Sequence, residues 1–195
     1  MNCTAISPDF VSLKARLKKT WMAGDYDRFS RYMESGARDF YERLDVAPGS
    51  QLLDVACGSG SLALIAARDG VKVTGVDIAG NLIERARERA RAESLPATFE
   101  EADAEALPFE GASFEVVVSL IGAMFAPRPD YVAQELLRVC SPGALSPWRT
   151  GLHRGSSGRC SRPYRNSSHP LECPRHSSGA TKRPFANASE RDCRI

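Results

Sequence analysis

One segment constrains this chain more than any other: Leu52-Leu53-Asp54-Val55-Ala56-Cys57-Gly58-Ser59-Gly60-Ser61. It is an apolar run that ends in an acid and passes directly into a glycine turn. Helical spacing follows from Leu62 to Arg68, and a second apolar run, Val71 to Val76, again ends in an acid, Asp77. A strand, a glycine turn, a helix and a strand tipped by a carboxylate make the layout of a nucleotide-binding βαβ unit. Gly58 and Gly60 allow a sharp turn and let a ligand come close to the main chain. Asp77 stands where a carboxylate can accept hydrogen bonds from both hydroxyls of a ribose. The spacing is not that of a nicotinamide-type loop, because Leu62 and Ala63 follow Ser61 and the third glycine is missing.

The same alternation continues downstream. Asn81 to Ala92 reads as an amphipathic helix with Leu82, Ile83, Ala86 and Ala90 on one face. Its glutamates and arginines read as solvated surface pairs. Ala97 to Glu101 is a short third strand. Phe114 to Leu120 is apolar and β-branched without alternation, as expected of a strand covered on both faces. Ile121 to Pro127 then falls at the carboxyl end of that strand, where open αβ sheets place their ligands. Asp130 to Val139 is a second amphipathic helix.

The motif Asp54-Val55-Ala56-Cys57-Gly58-Ser59-Gly60 resembles the first motif of the class I S-adenosylmethionine-dependent methyltransferases. Glu101 to Phe109 resembles the third-strand motif of that family, Ser113 to Ser119 its fourth strand, and Pro129 to Cys140 the helix that follows. The resemblance runs from about Lys14 to Gly143 and is closest to the small-molecule type. It implies a Rossmann-like doubly wound parallel α/β sheet with S-adenosyl-L-methionine as cofactor and a small-molecule methyl acceptor. It also implies roles for single residues. Asp54 orients the loop or reaches the cofactor amine, and Ala56, Cys57, Gly58, Ser59 and Gly60 face the methionine portion. Asp77 takes the ribose hydroxyls, and Ile78 packs on the adenine. Asp103 accepts from the adenine amine, Ala104 offers a backbone donor, and Ser119 with Leu120 floors the cleft. Glu105 is left as an exposed acid of little consequence.

The N-terminal segment fits the helical cover that this family often builds over its cleft. Phe10 to Ala23 has helical spacing at Phe10, Leu13, Leu17 and Trp21, and Tyr26 to Leu44 continues as helix until Pro48-Gly49. Phe40 and Leu44 are expected in the core, and Trp21, Tyr26 or Phe29 at the cleft. The division is a helical cap over 1–45, a cofactor domain over 46–143 and a basic low-complexity tail over 144–195.

Composition supports that last boundary. Residues 1–140 hold 16 basic and 21 acidic residues, whereas residues 141–195 hold 10 and 3, with ten serines and six prolines. Only five residues of the tail are Leu, Ile, Val, Phe or Met, too few to offset an ordering cost of roughly 1–2 kcal/mol per residue. The tail is therefore expected to be disordered. With Pro147 interrupting the run after Gly143, the sheet is expected to be truncated after its fourth strand, with impaired activity. Read one nucleotide out of frame from Gly143, the genetic code permits a hydrophobic strand and a Trp-Thr-Pro segment like those of the family. A slipped reading frame is thus the expectation for residues 144–195.

Other classes fit less well. The six cysteines (Cys3, Cys57, Cys140, Cys160, Cys173 and Cys193) form no CxxC pair, which suits reduced thiols of a cytoplasmic protein. Cys160, His169, Cys173 and His176 lack the paired spacing of a zinc site, so no metal is expected. The arginines of the tail are spread out, which argues against specific nucleic-acid binding. No run of 18 apolar residues and no leader peptide is seen, so no membrane association is expected. A catalytically inactive cofactor-binding protein is the main alternative, and a nicotinamide-dependent oxidoreductase is a weaker one.

Overall fold

The computed structural model describes residues 9–145. The expected disordered tail and the consequences of a slipped frame concern residues beyond these, apart from the segment up to Leu145. The described elements are α1 (Phe10–Met22), α2 (Tyr26–Arg31), α3 (Glu34–Glu42), β1 (Gln51–Val55), α4 (Ser61–Arg68), β2 (Lys72–Asp77), α5 (Gly80–Ala92), β3 (Ala97–Glu101), β4 (Phe114–Val118), a 3₁₀ turn (Gly122–Phe125), α6 (Pro129–Val139) and β5 (Cys140–Leu145). None of these helices is long and apolar enough to cross a membrane.

The strands form one parallel sheet in the order β3-β2-β1-β4-β5. Leu52 lies in register with Val73 on one side and Val116 on the other, so the two apolar runs flanking β1 are its neighbours. Side chains alternate across the sheet. Leu52, Val73, Val116 and Val118 join α4 and α5 residues in one core, with Ala37 and Tyr41 of α3. Leu53, Val55, Val76 and Val117 join Val132, Leu136 and Val139 of α6 in a second core. Helices thus cover both faces, which is why β4 reads as an unbroken apolar run. This is the Rossmann-like α/β sheet implied by the resemblance.

Two expectations are corrected. The sheet is not truncated after its fourth strand. Cys140-Ser141-Pro142-Gly143-Ala144-Leu145 pairs in parallel with β4, Phe114 opposite Cys140 and Val116 opposite Leu145. The pairing is irregular between those two points, and the backbone N–H groups of Ala112 and Ser113 extend it by donating to the carbonyls of Arg138 and Val139. Among the described strands β5 lies at the edge of the sheet, where a proline is tolerated. The second correction concerns Tyr26 to Leu44, which is not one helix. It breaks at Tyr32-Met33, and Met33 starts α3 without a side-chain cap.

Candidate functional site

The site is built on the glycine loop at the carboxyl end of β1. Gly58 and Gly60 adopt left-handed backbone angles, φ 57° and 82°, and so does Ala56, at φ 59°. That conformation costs a non-glycine residue roughly 1–2 kcal/mol, so something must hold Ala56 in place. The N–H of Cys57 donates to the carbonyl of Val76 (3.0 Å), and the N–H of Gly60 donates to the carbonyl of Cys57 (3.0 Å). From the far side, Gly122 presses on Ala56. A Cβ at Gly122 would lie 2.5 Å from the Cβ of Ala56 and 2.9 Å from its carbonyl oxygen.

Asp77 ties the loop to β2. Its Oδ2 accepts from the N–H of Gly58 (2.9 Å) and its Oδ1 from the N–H of Ala79 (2.8 Å). Burial nevertheless raises its pKa, which these N–H groups only partly offset. Asp54, at the tip of β1, is 2 % exposed. Its Oδ2 has no partner, and neither does the buried hydroxyl of Ser61. Burial lifts the Asp54 carboxyl to about 7, the charge of Asp77 adds to this, and the N–H of Ala63 pulls the other way. Burial also raises the thiol of Cys57 well above its usual value, followed by the charges of Asp54 and Asp77, so it is a neutral thiol. Its Sγ fills the space a Cβ of Gly75 would need, 2.9 Å away, which fits the reading of a small packing residue.

Two adjoining cavities open above the loop. The first is lined by Asp54, Ala56, Cys57, Gly58, Ser61 and Asp77 from the sheet side, and by Trp21, Tyr26, Ser30 and Met33 from the cover. The second is lined by Ile78, Ala102, Asp103 and Ala104, with Lys14 and Leu17 of α1. Trp21, Ala56, Asp77, Ile78, Gly122 and Phe125 line both. The result is a slot running along the carboxyl ends of β1, β2 and β3.

Residues 52–143 match the family model for a methyltransferase domain. A curated relative, an uncharacterised protein of Mycobacterium tuberculosis, is 37% identical over 160 residues, covering 80% of this chain and 58% of the relative. The 27-O-demethylrifamycin SV methyltransferase of Amycolatopsis mediterranei is 35% identical over 127 residues, 62% of this chain and 47% of that protein. Among solved structures, phosphoethanolamine N-methyltransferase 2 of Haemonchus contortus, in complex with S-adenosyl-L-methionine, superimposes with a TM-score of 0.55 at 28% identity. The match covers 57% of this chain and 27% of that one. Residues 52–143 thus form a methyltransferase-family domain, similar to those of relatives named as methyltransferases. The chain spans somewhat over half the length of the first curated relatives it matches.

The structure brings most of the sequence-derived candidates to one slot. Asp54, Ala56, Cys57, Gly58, Asp77, Ile78, Asp103 and Ala104 line it. Ser59 and Gly60 belong to the loop but lie behind it. The hydroxyl of Ser59 pairs with that of Ser30 at 3.1 Å, and its carbonyl accepts from Arg89 at 3.0 Å. Ser119 lines neither cavity, because its Oγ accepts from the N–H of Ala123 at 3.2 Å and starts the 3₁₀ turn. Trp21 and Tyr26 reach the cleft as expected, but Phe29 is 54% exposed and lines neither cavity.

Glu105 is the clearest miss. It is not an exposed acid. Its side chain is fully buried and accepts from the N–H of Arg128 (2.8 Å), from Arg128 Nε (2.6 Å) and from Lys14 Nζ (2.5 Å). Those partners hold its carboxyl below the usual range although burial works against them. Lys14 also meets Asp103 Oδ2 at 2.5 Å, while Asp103 Oδ1 accepts from the N–H of Glu105. Arg85 and Arg87 make the expected surface pairs with Glu88 and Glu84, and Arg87 also donates to the carbonyl of Phe99. Arg89 differs: it donates to the carbonyl of Ser59 and reaches Glu34, and no sequence signal separates it from Arg85.

Proposed function

We propose that the slot binds S-adenosyl-L-methionine and that the chain transfers its methyl group to a small-molecule acceptor. The observation that carries this is the pair of unpartnered buried polar atoms, Asp54 Oδ2 and Ser61 Oγ, facing a cavity on the glycine loop. A buried polar atom without a partner costs about 1–3 kcal/mol, and a polar, positively charged ligand end would supply what it lacks. The cofactor would bring an electrophilic methyl on a sulfonium. The protein's contribution is then positioning and exclusion of water rather than strong acid or base chemistry. Asp77 keeps lone pairs free for two ribose hydroxyls while its N–H bonds fix the loop. Ile78 offers an apolar wall to the base, and the N–H of Ala104 a donor. Asp103 would share its carboxylate between Lys14 and the adenine amine. The small-molecule acceptor is supported by the rifamycin methyltransferase among the relatives.

Titration calorimetry with S-adenosylhomocysteine tests the assignment. Asp77→Ala should weaken binding by about 1.5–3 kcal/mol, roughly 10- to 150-fold, through the loss of charged hydrogen bonds. Glu88→Ala, on the solvent side of α5, should change nothing. Glu105 is unsuitable as the control because it is buried. Equal losses in the two variants would remove Asp77 from the site, and no binding by the unaltered chain would defeat the reading.

A further inference from the structure

Three aromatic rings from three different elements meet at the first cavity, and neither core explains them. Trp21 (α1) and Tyr26 (α2) stand edge to face, with centroids 5.6 Å apart and planes at 82°. Trp21 and Phe125 (the 3₁₀ turn) are 5.1 Å apart at 58°. None of the three belongs to either apolar core. Tyr26 lies directly over the loop, its Cε1 3.6 Å from where a Cβ of Gly58 would be. The facing wall holds two carboxylates, Asp54 and Asp77, and no Lys, Arg or His is among the described residues lining this cavity. The second cavity, by contrast, contains Lys14.

We infer that Trp21, Tyr26 and Phe125 form an aromatic corner that receives a cation, opposite Asp54 and Asp77, and so distinguishes a charged sulfonium from a neutral thioether. This rests on the reading of the slot as a cofactor site. Ring faces are negative and attract cations, and more strongly where water is excluded. Rings at steep angles to one another let more than one of them address the same small cation. The phenol of Tyr26 stays neutral, because burial and then the charge of Asp77 raise its pKa. It therefore acts through its ring and not as a phenolate. The three residues are positioning residues in this role: they favour the charged ligand and hold its sulfur end against the loop.

The test compares S-adenosylmethionine with S-adenosylhomocysteine by calorimetry on the full chain, since the two differ at the sulfur by a methyl and a charge. Trp21→Leu and Tyr26→Leu should each lower affinity for the sulfonium about 3- to 30-fold while changing that for the thioether by less than about threefold. Tyr26→Phe keeps the ring and should keep the unaltered preference. Equal weakening of both ligands, or no change in either, overturns the corner as a charge reader. If the unaltered chain binds neither nucleoside, the cofactor reading fails, and the corner is then judged with trimethylsulfonium chloride alone. In a Trp148→Phe background, saturable quenching of Trp21 fluorescence that Tyr26→Leu abolishes upholds it. Absence of quenching overturns it.

Discussion

The sheet and the first helix of its cover are held by different forces. In β1 every residue from Leu52 to Val55 is buried, and β4 buries Val116, Val117 and Val118. In α1 no residue is buried. What holds α1 down is Lys14 on Asp103 and Glu105, Lys18 on Glu101, the Trp21–Phe125 ring contact, and the amide of Asn81 donating to the carbonyl of Met22. Apolar burial is non-directional and is not weakened by charge screening, whereas ion pairs are local and screened. The platform that fixes the loop geometry is therefore separate in energy from the cover that controls access to it. For the proposed cofactor slot, this separation would let the contacts of α1 loosen without disturbing the carboxylates beneath.

The largest test of that division is truncation of equivalent apolar side chains. Leu53→Ala, at a fully buried position, should cost about 2–5 kcal/mol in chemical denaturation. Leu17→Ala, on half-buried α1, should cost less than about 1 kcal/mol. Similar losses would mean that the cover is part of the cooperative core after all.

The next effect comes from pH. The Asp54 carboxyl titrates at about 7 in the folded protein against 3.8 normally. Between those values the folded state keeps a proton that the unfolded chain has released. Stability therefore falls as pH rises through that window and levels off above it. That difference in proton affinity corresponds to at most ~4 kcal/mol. Asp77 is shifted in the same direction and adds to the slope. Glu105 and Glu135 are shifted downward, so their contribution has the opposite sign and falls at lower pH. Asp54→Asn should flatten the melting temperature between pH 5 and 8 and exceed the unaltered protein at the upper end. An unchanged slope would place the titration elsewhere.

A smaller loss tests where cover and platform meet. Gly122→Ala would drive a methyl into the Cβ and carbonyl oxygen of Ala56, and the backbone there must shift. Overpacking of this kind costs about 1–3 kcal/mol. Because Ala56 lines both cavities, binding of S-adenosylhomocysteine should suffer as well. Normal melting together with normal binding would show that the contact is looser than the distances imply.

The same division decided what could be read from the sequence. β1, β2 and β4 were legible because each is a short apolar run bounded by turn residues, and the pairing of Leu52 with Val116 followed from the order of the runs. Asp77 was legible because a βαβ unit places an acid there, although its hold on the loop through Gly58 and Ala79 was not foreseen. The fifth strand was hidden because Pro142 and Gly143 read as a turn, and only its edge position makes them acceptable. Glu105 and Arg89 were hidden because a charged residue looks the same in sequence whether it faces water or a partner 23 or more positions away. Polar contacts between distant segments leave no periodic trace, and α1 is tied to the sheet by several of them.

The smallest effect is the most specific to the cover. Lys14 keeps its proton, its pKa raised by Asp103 and Glu105 despite the cost of burial. The partly exposed Lys18–Glu101 pair contributes about 0–1 kcal/mol, and the buried Glu105 retains Arg128 when Lys14 is removed, so Lys14→Met with Lys18→Met should move the melting temperature little. The readout is local instead. At 1 M salt the screening length drops to about 3 Å, and amide exchange in α1 should speed up severalfold in the unaltered protein while β1 stays protected. In the double variant, α1 exchange should already be fast at low salt and should no longer respond to added salt. Glu105 keeps its hydrogen bonds to Arg128, so the pocket floor should stay intact. If salt instead loosens α1 and β1 together, the cover and the sheet open as one unit, and the lysines do not act as a separate latch over the cleft.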